Sequence, residues 1–170
     1  MIKNNVRLLL LSAFFIFISG CFSYSLTDLP EFSDFSIQKS YQEMPHDIDL
    51  KSHPEAYKYR TLLKEGIKKG ANFADHYIIV SHGCGTDCYV HWIIDVGTGK
   101  VITRVNSELG ASYQLKSALL ILNPPEFLWK GAHDDTVKWL QTHFIKTYFF
   151  IIEDDQLRPI FSIDTYKITK

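Results

Sequence analysis

Hydrophobic and polar positions follow distinct regimes along this 170-residue chain. Residues 8–18 form an almost unbroken apolar run behind Lys3 and Arg7. Such a run rises only about 16 Å as a helix, about half of a hydrocarbon core, which predicts a secretory leader and not a membrane span. Residues 22–34 mix Ser, Thr, Asp and Pro30 without a long apolar stretch and read as a tether. Residues 35–50 alternate poorly and fit at most an edge strand. From Ser52 the period becomes three to four: Ala56, Tyr59, Leu63 and Ile67 define one face of an amphipathic helix. Ser52 and Glu55 offer it a capping box, and Gly70 a left-handed stop.

After Gly70 the apolar residues run as strands. Residues 73–82 and 89–96 are rich in Ile, Val, Tyr and Trp, and a Gly-containing turn leads to a third strand over residues 100–104. Two more follow in "SALLIL" and "KTYFFII", and the Asp-rich "EDDQ" turns the second into a last strand. Residues 123–144 interrupt this series with two prolines, Trp129, Trp139 and a short helix beginning near Asp134. That is long for a structural connection, so the segment either presents a recognition loop or lets its tryptophans cap the open face of the sheet. The predicted class is α+β: an antiparallel β-meander sheet preceded by one amphipathic helix, with a long insertion between late strands. Residues 1–20 are then a leader, residues 21–34 a tether and residues 35–170 a single domain.

The end of the leader adds chemistry. Ile18-Ser19-Gly20-Cys21 resembles the bacterial lipobox, in which the cysteine is acylated, with palmitate-type chains, and becomes the mature N-terminus. Multiple acyl chains hold a protein on a membrane almost permanently, so the first expected partner is the membrane itself, through the lipid on Cys21. Phe22 stands where the sorting pattern for inner-membrane retention has Asp, which points to the periplasmic face of an outer membrane. Removing Lys3 and Arg7 from the 18 basic residues leaves 16 against 19 acidic ones. So weak a balance gives no electrostatic case for nucleic acid. No nucleotide loop or cofactor fingerprint occurs, and no cofactor is expected.

With Cys21 acylated, Cys84 and Cys88 are the remaining thiols, inside "SHGCGTDCYVH". Three roles compete for them. A disulfide suits an even pair in an exported chain and would add roughly 2 kcal/mol by closing a loop of about five residues. Zinc could use His82, Cys84, Cys88 and His91, although all four ligands lie unusually close in sequence. A thiolate nucleophile would need one cysteine kept free beside a histidine base. If the cysteines flank a three-residue turn, the strands pair so that Val80 faces Trp92, Ile78 faces Ile94 and His82 faces Val90. His82 and His91 then point to opposite faces, and Ser81 and His91 share one. That geometry leaves His82 and His91 as weak metal candidates and favours the disulfide. His76, with Asp75 or Asp95 nearby, is a candidate polar centre.

The stretch "GANFADHYIIVSHGCGTDCYVHWIIDVGTGKV" resembles the core motif of a family of bacterial secreted proteins and lipoproteins with a pattern close to G-x-N-F-A-G-H-Y, then W-G-C-G-T-x-C, then D-x-x-T-G. Asn72, Phe73, Ala74, His76, Tyr77, Gly83, Cys84, Gly85, Thr86, Cys88, Asp95, Thr98 and Gly99 match it. Asp75 replaces a glycine of the pattern and His82 a tryptophan, and residues 123–144 are not part of it. The resemblance implies export, this fold and the disulfide, and no particular activity. Two functions follow as expectations. The first is a lipid-anchored, non-enzymatic envelope protein, in the manner of small lipoprotein inhibitors, that binds an envelope partner through the cysteine loop and through Trp129 and Trp139. The alternative is a small hydrolase or metal-dependent enzyme centred on His76, Asp87 and His82.

Overall fold

The computed structural model describes residues 23–38, 41, 44–126 and 134–169. The leader, Cys21, Trp129 and residues 127–133 lie outside the described residues. Two short strands, β1 (Tyr24–Ser25) and β9 (Ile168–Thr169), pair in parallel near the two ends of the described chain. Between them, β2 (Tyr77–Gly85), β3 (Cys88–Asp95) and β4 (Val101–Ser107) form one antiparallel meander. A second contains β5 (Ala111–Tyr113), β6 (Leu119–Leu122), β7 (Lys146–Glu153) and β8 (Gln156–Asp164). The class is α+β with mostly antiparallel strands, as the sequence predicts, but the meander is divided into two sheets. The division falls at residues 108–110, where Gly110 takes φ +102° and the Asn123 side chain accepts the backbone N–H groups of Glu108 and Leu109.

A 3₁₀ turn, Ala56–Tyr59, runs into α1 (Arg60–Ile67) ahead of the sheets. Ala56, Leu63 and Ile67 are buried against Ile78, Val80, Trp92 and Ile94. Burial of each large side chain contributes roughly 1.5–3 kcal/mol. Gly66 lets the helix approach β2 so closely that a Cβ there would run into the methyl groups of Val80. Gly70 takes φ +78°, the left-handed stop expected of it. The capping box does not form. Ser52 Oγ instead donates to the Asp49 carbonyl and accepts the Val101 N–H, while Glu55 pairs with Arg104. Both side chains are claimed by the start and middle of β4, a tertiary demand that overrides the local signal.

The opposite face of the first sheet presents Ile79 and Ile93, which pack with Phe73 and Tyr77 against Leu120, Leu122 and Ile152 of the second sheet. The far side of that sheet buries Leu119, Ile121, Phe149 and Ile163 under Leu29 and the flanking Leu26, Phe32 and Phe35. The described part of the segment read as a tether is therefore docked on the domain. Residues 35–50 form no strand among the described residues and contribute two isolated bridges, Ser36 to Ser117 and Asp49 to Lys100. In the insertion, Asn123 is buried, and α2 (Asp134–Thr142) begins at the expected residue.

Candidate functional site

The β2–β3 register is the expected one over most of its length, with Ile78 opposite Ile94, Val80 opposite Trp92 and His82 opposite Val90. It slips after Gly83, so that Gly85 pairs with Cys88 and the turn is the two-residue Thr86-Asp87, one residue shorter than predicted. Cys84 and Cys88 are joined by a disulfide across this tip, with Cα atoms 5.1 Å apart. The bond removes both thiolates, and with them the nucleophile and the cysteine-ligated zinc that the spacing allowed.

At the other end of the hairpin, polar side chains gather where the two sheets meet. Residues 73–77 fold into a tight loop in which Ala74 (φ +44°) and Asp75 (φ +72°) are both left-handed, an uncommon pairing for non-glycine residues. It is held by Ala74 and Asp75 N–H groups donating to the Gln114 and Leu115 carbonyls at 3.3 and 2.7 Å, and it places His76 beside the end of β3. There Asp95 accepts from Gly97 N–H and Thr98 Oγ1, each at 2.8 Å, which fixes its carboxylate within the β3–β4 turn. The third contributor is Asp155. It arrives from the β7–β8 turn, whose central residues Asp154 and Asp155 take φ +50° and +58°. Two left-handed residues in a two-residue turn usually call for Asn-Gly or Asp-Gly.

One ligand-capable atom from each of His76, Asp95 and Asp155 lies within 4.8 Å of the other two. Tyr77 Oη donates to Asp155 Oδ1 at 2.8 Å, and Lys100 Nζ stands 3.5 Å from Asp155 Oδ2. Burial, then the hydrogen bond and charge of Asp155, push the Tyr77 hydroxyl well above its ordinary pKa, so it remains a protonated donor. Asp75 Oδ1 accepts the Tyr41 N–H at 2.8 Å, and its Oδ2 lies 4.0 Å from His76 Nδ1. The result is an imidazole surrounded by carboxylates, partly open to solvent.

His82 and Asp87 do not join this cluster. A strand rises about 3.3 Å per residue, which puts His82 roughly 20 Å along β2 from His76 and Asp87 farther still. His82 packs its ring 5.0 Å from Tyr59 on the helix side, where burial and then the charge of Arg104 lower its pKa. Asp87 occupies the exposed tip with φ +49°. His91 points to the other face, as the register requires, and is 2% exposed. Its Nδ1 lies 2.7 Å from Ser81 Oγ and its Nε2 2.8 Å from Ser107 Oγ, so three strands are tied through one ring. Burial first, and the charge of His82 second, bring its pKa down to about 4. It is a neutral structural bridge at physiological pH. Trp139 is half-buried on α2 and stacks on His143 with centroids 4.6 Å apart.

Sequence reasoning found His76, Asp75 and Asp95 but not Asp155, Ser107 or Lys100. The one available signal for Asp155 was the Asp-Asp pair in a turn that ordinarily carries glycine or asparagine. No protein-family model, curated protein or solved structure matches the chain significantly.

Proposed function

We propose that this is a lipid-anchored protein of the bacterial envelope that works as a binding module, presenting the β2–β3 tip to an envelope partner. The Cys84–Cys88 disulfide at that tip carries the reading. Disulfides persist in oxidising compartments, which agrees with a leader and a lipidated Cys21. Residues 83–87 are all exposed, and Tyr89 beside them is 43% exposed. A loop pinned at both ends loses little conformational freedom when it is captured, and tyrosine is a favoured contact residue in protein interfaces. Trp139, with Trp129 on the same insertion, is the secondary candidate surface. An enzyme built on His76, Asp87 and His82 is the weaker proposal, because the three residues are strung along the hairpin and not gathered.

Only residues 22 and 23 separate Cys21 from the first described strand, so acylation would hold the domain roughly 10 Å from the lipid headgroups. Photo-crosslinking in living cells tests the contact surface. With the crosslinker at Thr86 we expect a discrete adduct that is lost when Tyr89→Ala is added, and none from Lys64 on the exposed side of α1. The same adduct in Trp129→Ala/Trp139→Ala would assign recognition to the hairpin alone. Identical patterns from Thr86 and Lys64 would contradict the proposal.

A further inference from the structure

We propose that His76, Asp95 and Asp155 bind a divalent cation of the zinc class where the two sheets meet, with Asp75 as a positioning residue for His76. The donor set is one imidazole nitrogen and two carboxylate oxygens, drawn from three separate turns and already within 4.8 Å of one another. Zinc bonds to such ligands at about 2.0–2.2 Å, which sets ligand-to-ligand separations near 3.4 Å. The side chains of His76 and Asp155 are 38% and 39% exposed, which leaves them room to close that difference. Three protein ligands leave a fourth position for water or for a donor from a partner. Calcium, which takes six to eight oxygens, is poorly served by two carboxylates and an imidazole.

Asp75 provides an independent observation. It is nine-tenths buried, and its Oδ2 accepts no hydrogen bond among the described residues but faces His76 Nδ1 at 4.0 Å. A carboxylate on one ring nitrogen is the usual partner of a metal-binding histidine, fixing its tautomer and leaving Nε2 to the ion. Charge agrees. Asp75 and Asp95 are buried with no lysine or arginine partner among the described residues, and Asp155 has only the half-exposed Lys100. The two buried carboxylates have hydrogen bonds but no cation to offset their charge, and burying charge without a counter-ion is unfavourable. A divalent cation would supply the missing charge and displace Lys100 from Asp155.

The test uses the full-length chain in detergent, stripped with chelator and titrated with zinc chloride, with bound metal counted by elemental analysis after dialysis. We expect one zinc per chain, bound at least tenfold more weakly by His76→Ala and Asp155→Asn. Asparagine suits the left-handed turn position of Asp155, so that variant separates loss of the ligand from loss of the fold. Asp75→Asn should weaken zinc about tenfold while the melting temperature of the metal-free protein stays in place. Lys100→Met should bind zinc several-fold more tightly. Wild-type protein without stoichiometric zinc would overturn the proposal. So would zinc retained equally by His76→Ala and Asp155→Asn, which would assign it to histidines elsewhere, or a clear preference for calcium chloride in the same titration.

Discussion

His91 shows how much one side chain carries in this fold. Its ring accepts and donates between Ser81 and Ser107 in a site with almost no solvent access, an arrangement suited to the neutral form. A histidine whose folded pKa lies near 4, below its ordinary 6.5, lets the unfolded chain bind more protons between those values. Stability from this group is therefore complete above pH 6.5 and is lost as pH falls through 4. Relative to His91→Gln, wild-type protein should lose up to about 3 kcal/mol of unfolding free energy between pH 6.5 and 4. Denaturant titrations at several pH values measure this, and parallel pH curves for the two proteins would contradict it. The sequence placed Ser81 and His91 on one face. It could not place Ser107, which reaches His91 only because β4 pairs diagonally across the same face.

Elements were legible wherever apolar residues recur with a clear period. The hairpin register followed from setting Cys84 and Cys88 on either side of the turn; the turn proved one residue shorter, and the irregularity after Gly83 absorbs the difference, so that Ile78, Val80, Trp92 and Ile94 still face the helix. Where polar side chains direct the chain, the pattern was silent. Asn123 organises the switch between sheets through its amide, and β5 is only three residues long. The capping box failed for a related reason, since Ser52 and Glu55 have better partners in β4. Two expectations belong to this scale. Gly66→Ala should destabilise by about 1–3 kcal/mol, because the added methyl meets Val80 across the helix–sheet contact and neither backbone can move freely; a thermal melt unchanged from wild type would show that the contact yields. Replacing Cys84 and Cys88 together by serine should remove about 2 kcal/mol, since the closed loop is short. Equilibrium unfolding would read that loss, and a change above about 4 kcal/mol would mean that the bond also organises the strands beyond its own loop.

Across the whole molecule, the candidate site is assembled by the way two sheets meet. Asp155 lies 78 residues from the tyrosine whose hydroxyl it accepts, and no local pattern announces that encounter. His76 was visible because a histidine at the head of an apolar strand is conspicuous, and Asp95 because it opens a Gly-rich turn. The docking of Leu29, Phe32 and Phe35 on the second sheet was hidden for a different reason: their spacing follows 3₁₀ turns and a surface contact, with neither helical nor strand periodicity. It makes the first described residues part of the core of the second sheet, at the end of the molecule where β1 pairs with β9. The mass of the full chain recovered from bacterial membranes, alkylated under denaturing conditions without reductant, tests this account most directly. We expect a chain beginning at an acylated Cys21 with no alkyl adduct on Cys84 or Cys88. A chain that keeps residues 1–20, lacks lipid and carries adducts on both cysteines would contradict it.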